Sequence, residues 1–186
     1  MTGCIERIKA EFGIGIKWRA FPLHPDTPED GLSLKELFAE YPMDVEKMLA
    51  RLREKASELG LPFGERKKTY NSRLAQELGL WAESKGKGEL FHKAAFHAYF
   101  ADGKNIAEIP VLVELAASVG LTAEEAAEVL SKRVLKLAVD EDWKLARMMG
   151  ITAVPTFVMD RDRLVGAQPY KVLSRFVEAH GGRRTV

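Results

Sequence analysis

Apolar positions in "CIERIKAEF", residues 4–12, recur at helical spacing: Ile5, Ile8 and Phe12 share a face, with charges between them. A helix is predicted there, with Gly13 as its stop. The period then drops to two. In "IGIKWRAF", residues 14–21, Ile14, Ile16, Trp18 and Ala20 fall on one side and Lys17, Arg19 and Phe21 on the other. This predicts a strand, ended by Pro22 and followed by the stiff loop "PLHPDTPEDG".

From about residue 32 to residue 150 the helical period holds, without a strand signal. One stripe runs through Val45, Met48, Leu49, Leu52, Ala56 and Leu59 and closes at Gly60. The next has Asn71 as its predicted N-cap and turns Leu74, Ala75, Leu78, Trp81 and Ala82 inward. A third, apolar over a wide arc, carries Phe91, Ala95, Phe96, Tyr99 and Phe100. Pro110 opens a fourth helix that Gly120 terminates, and Thr122 with Glu125 has the spacing of a capping box. A last helix in this block passes through Leu135, Ala138, Trp143, Ala146 and Met149 to Gly150. In "ITAVPTFVMD", residues 151–160, β-formers surround Pro155. "RDRLVGAQPYKVLSRFVEAHGG" then reads as a second short strand and a closing helix. Strands near both ends of a helical block indicate one α/β unit interrupted by an insertion.

The chain has 186 residues, 46% hydrophobic and 30% charged, an ordinary globular balance. Its 28 basic and 27 acidic side chains leave a net charge of +1, so no field favours nucleic acid or an anionic membrane. No apolar stretch is long enough to span a bilayer and no signal-peptide core is present, so a cytoplasmic location is expected. Cys4 is the one cysteine, which excludes an internal disulfide framework, a cysteine-rich zinc site and an intramolecular dithiol cycle within these residues. His92 and His97, five apart, diverge on a helix, and no metal site is expected. Asp140, Glu141 and Asp142 read as a solvated acidic face, and Trp81, Phe91, Phe96 and Tyr99 as core. On the residues alone, Pro155 either caps an edge strand in the trans form or begins a strand through a cis bond.

"GITAVPTFVMD…LVGAQPYKVL" resembles the C-terminal half of a thioredoxin-fold domain of the DsbA-like superfamily. "WRAFPLHPDTPEDG", "YNSRLAQELG" and "AYFADGKNIAEIPVLVELAASVGL" are similar to that family's loop and helical insertion. The closest resemblance is to the cytosolic FrnE-like branch, with 2-hydroxychromene-2-carboxylate isomerase and kappa-class glutathione transferase as relatives. The resemblance implies an α/β, thioredoxin-like core from residues 1–31 and 151–186 with an all-helical insertion at 32–150. It implies a cis bond before Pro155, with Val154, Pro155 and Thr156 binding substrate by main-chain pairing to an extended peptide. It also places Gly166, Ala167 and Gln168, at the entrance to the last helix, near a possible glutathione carboxylate, and His24 at the site rim.

In the family, the helix after the first strand begins with Cys-x-x-Cys, where its N-terminus depresses a thiol pKa. "MTGCIERIKAEF" matches the interior of that helix, so the first strand and the nucleophile motif are expected upstream of Met1. Cys4 would lie past the site and reads as a small, partly buried side chain. The implied activity is that of a protein disulfide oxidoreductase acting on protein or peptide thiols and disulfides, with no catalysis expected from residues 1–186 alone. The alternatives are a glutathione-dependent isomerase or transferase and a non-catalytic peptide-binding module. A strand at 14–21 without its neighbour would expose unpaired backbone groups and predicts poor solubility or closure as a homo-oligomer.

Overall fold

The computed structural model describes residues 2–40, 44–58, 60–65 and 67–185. Its elements run α1 (Thr2–Phe12), β1 (Leu32–Ser33), α2 (Leu34–Leu37), α3 (Val45–Glu58), β2 (Lys68–Thr69), α4 (Arg73–Ser84) and α5 (Gly88–Phe100). They continue with α6 (Ile109–Ser118), α7 (Ala123–Ser131), α8 (Lys136–Met148), β3 (Thr156–Met159), β4 (Asp162–Val165) and α9 (Tyr170–Ala179). Two compact units result: Met1–Leu23 with Asp142–Val186, and His24–Glu141. The chain passes from the second unit to the first within α8.

In the second unit α4 packs against α5, α6 and α7. Leu78, Phe91, Leu112, Ala116, Ala126 and Leu130 form the fully buried centre, with Trp81 and Ala98 beside them. The stripe on α4 also carries a charge. Glu77 is 1% exposed and accepts hydrogen bonds from Arg73 Nε at 2.7 Å and from Arg133 Nε and Nη2 at 2.8 and 2.7 Å. Arg73 in turn donates to the Lys136 carbonyl and pairs with Asp140 at 2.8 and 2.7 Å, so α4 is tied to the start of α8. Burial pushes the Glu77 carboxyl up, but the bonds and charges of Arg133 and Arg73 outweigh it and hold the group below its ordinary value.

Several sequence expectations are corrected here. Residues 14–21 form no strand: the segment finds no ladder partner among the described residues, and Ala20 N–H donates to Asp142 Oδ2 at 2.9 Å instead. Alternation supplies faces, whereas a strand also requires a neighbour. Asp142 is not on a solvated face; it is 4% exposed and takes Arg19 at 2.8 Å as well. The block from 32 to 150 contains two short strands, β1 and β2, which pair antiparallel over two residues each, too few to show a period. Glu125 forms no capping box with Thr122, because its carboxylate meets Lys85 Nζ at 3.1 Å. Ser72 is the N-cap of α4, while Asn71 Oδ1 accepts from the Arg73 N–H at 2.9 Å. Phe96 and Leu52 are exposed rather than inward, and Leu59 lies outside the described residues.

In the first unit Ile8 and Phe12 of α1 meet Leu173 and Val177 of α9, and the inner side of the β3–β4 hairpin covers them with Phe157, Met159 and Leu164. The α8 helix ends in a Schellman-type turn: Gly150 has φ +61° and the Ile151 N–H donates to the Ala146 carbonyl at 2.9 Å. That turn delivers the chain to the segment before β3.

Candidate functional site

Residues 153–156 leave the α8 turn and start β3. The peptide bond between Val154 and Pro155 is cis, and the Thr156 hydroxyl donates to the Ala153 carbonyl at 2.7 Å, closing a tight reversal. Beyond it β3 pairs antiparallel with β4, from Thr156 opposite Val165 to Met159 opposite Asp162, around the loop 160–161. The two ends of this hairpin are drawn together by the Gly166 N–H, which donates to the Pro155 carbonyl at 2.7 Å. Gly166 has φ +87°, a conformation that a side chain would strain. Gln168 Nε2 donates to the Val165 carbonyl at 2.7 Å, and Pro169 is the N-cap of α9, without a side-chain cap for the first N–H groups.

Pro155, Thr156, Gly166 and Gln168 therefore belong to one hydrogen-bonded assembly, with Val154 directly before it in the chain and Ala167 exposed between the last two. His24 belongs to the second unit, where it is exposed. Val154 is 44% exposed, and among the described residues its N–H and C=O have no hydrogen-bond partner. An exposed donor and acceptor at the mouth of a strand can pair with an extended segment of another chain.

Cys4 lies on α1, half-buried beside the Ile8 and Phe12 cluster. Among the described residues no three His, Cys, Asp or Glu side chains gather to hold a metal, and no helix is long and apolar enough to cross a membrane. His92 is half-buried against Gly79, and its burial holds the ring below the ordinary histidine pKa. At the opening of α9, the Tyr170 hydroxyl donates to the Glu11 carboxylate, and Arg7 lies 3.8 Å from the Tyr170 ring centre. The Tyr170 bond, with those of Arg7 and the charge of Arg184, holds the Glu11 carboxyl below its ordinary value. The sequence reading missed this cluster, although Glu11 lies four residues after Arg7 and the pair is therefore adjacent on a helix.

A family model, the DSBA-like thioredoxin domain, matches residues 4–178. The crystal structure of a probable DsbA oxidoreductase from Streptomyces coelicolor superposes with a TM-score of 0.87 at 30% identity, over 100% of this chain and 85% of that one. A 2-hydroxychromene-2-carboxylate isomerase gives 0.70 at 16% identity, over 95% and 85%, a likeness of fold alone. No curated protein matches the chain.

Proposed function

The chain belongs to the DSBA-like thioredoxin domain family, and from that premise we propose that it serves as a cytosolic thiol–disulfide oxidoreductase of the DsbA type. In this reading residues 1–31 and 151–186 form the thioredoxin-like core and 32–150 the helical insertion. Val154, Pro155 and Thr156 hold an extended substrate. A thiolate attacks one sulfur of the substrate disulfide, releases the other as a thiol, and is itself released when a second thiol attacks the mixed disulfide. Cys4 is not that thiolate, since it is half-buried on α1 and is the only cysteine in the 186 residues. The observation that carries the reading is the exposed Val154 before β3, whose backbone N–H and C=O have no hydrogen-bond partner among the described residues.

Two measurements test it. In an amide NMR titration with an unfolded, cysteine-containing peptide, Val154 and Thr156 should shift first. Shifts confined to Gly166, Ala167 and Gln168 on adding glutathione, with none from the peptide, would instead place the chain with glutathione-dependent isomerases or transferases. The second is insulin reduction: Cys4→Ser should leave whatever rate residues 1–186 support unchanged. A rate that vanishes with Cys4→Ser would overturn the assignment.

A further inference from the structure

His180 is the C-cap residue of α9, and both of its ring nitrogens face oxygens that can only accept. Nδ1 is 2.8 Å from the Phe176 carbonyl oxygen, one turn back on the helix, and Nε2 is 3.1 Å from Asp162 Oδ2, at the first position of β4. A neutral imidazole has one N–H and can satisfy one of these oxygens; the imidazolium has two and satisfies both. The ring is well placed to keep that geometry. Its side chain is 11% exposed and packs on Phe176, with ring centres 4.7 Å apart.

We propose that His180 is a protonation-operated clasp that fastens the β3–β4 hairpin to the end of α9. The charged groups facing the ring are Asp162 and, from the loop that precedes it, Asp160, whose backbone has φ +51°. From α9 the ring meets the Phe176 carbonyl, while Glu178 is engaged by Arg184 at 3.3 Å. On the far side of β4, Arg163 donates to the Met149 carbonyl, so the hairpin has a second, pH-insensitive tether.

The Phe176 carbonyl raises the His180 pKa most; burial opposes it, and Asp162 and Asp160 add to the rise, leaving the pKa above the ordinary histidine value. A raised folded-state pKa fixes the sign. The clasp is complete below the ordinary histidine range and is lost as pH rises through the higher, folded-state value. The hairpin that it holds has Pro155 before one strand and Gly166 after the other, so acidification would stiffen the support of the candidate site. The clasp involves only the hairpin and α9, and it stands or falls separately from the peptide-binding reading.

Imidazole nitrogen NMR across the histidine range, on residues 1–186, tests the protonation step. His180 should titrate above an unstructured histidine, and Asp162→Asn, at a side chain 75% exposed, should lower its midpoint while leaving the fold intact. Hydrogen exchange tests the fastening. After correction for intrinsic rates, amides of residues 159–165 should be protected about threefold more strongly with His180 protonated than with it neutral, the scale of one half-exposed ion pair. His180→Gln and Asp162→Asn should each abolish that difference. An ordinary His180 midpoint, a midpoint indifferent to Asp162→Asn, or protection independent of His180 protonation would each overturn the proposal.

Discussion

Glu77→Ala is expected to destabilise the protein by about 3 kcal/mol, the low end of the range for breaking a buried ion pair by deleting one partner. The mechanism is the stranding of two cations. Arg73, with a side chain 14% exposed, would keep Asp140, but Arg133 would lose both of its hydrogen bonds to the carboxylate. Because the Arg133 side chain is 41% exposed, water recovers part of its solvation, which is why the low end applies. Urea denaturation followed by far-ultraviolet circular dichroism reads the loss. Glu77→Gln keeps the volume and removes the charge, so it should lose less. Its deficit relative to the native chain should also depend on pH. The folded-state pKa of Glu77 is depressed, so the stabilisation is present above the ordinary glutamate range and fades as pH falls through the lower value. A deficit that is flat from neutrality into acid would show that the charge contributes nothing.

Phe91→Ala should be at least as severe, about 3–5 kcal/mol, since the ring is 0% exposed and its removal leaves a cavity. Phe91 sits among Leu78, Leu112 and Ala116, on helices that pack mutually, so collapse around the void would have to move whole helices. Phe91→Leu should recover much of the loss. Phe96→Ala, on the same helix, provides the contrast. Phe96 is 56% exposed, and its truncation should change the denaturation midpoint little. Equal effects at the two positions would contradict the packing described for α5.

The helices of the second unit were legible because Leu74, Leu78 and Trp81 recur at helical spacing on α4, as do Phe91 and Ala95 on α5, and Pro110 and Gly120 punctuate the next. The hairpin was legible from Pro155 and the β-formers around it. The buried charges were not. Glu77 reads as a surface residue by type, yet it lies three residues after Leu74 and four before Trp81, on the same stripe, with an arginine four residues earlier. A charge on an apolar stripe with a partner one turn away is the signal that was available. Asp142 gave less notice, because two acidic neighbours disguise it as part of a solvated run. Residues 14–21 show the opposite failure: their alternation is correct for a strand, but alternation is local and a ladder is not. The His180 clasp could not be read at all, since Asp162 and Phe176 reach the ring from different elements.

The first unit is assembled from the two ends of the sequence, and this gives synthesis a direction. The Tyr170 hydroxyl meets Glu11 across a separation of 159 residues, and α1 packs against α9 and the β3–β4 hairpin, all near the far end of the sequence. The second unit is contiguous, and its helices contact near neighbours in the chain. Local contacts form fast and distant ones slowly. A nascent chain can therefore complete the second unit while still attached to the ribosome. Until α9 emerges, Ile8 and Phe12 on α1 have no cover from Leu173 and Val177, so during that interval α1 presents an apolar face to the solvent.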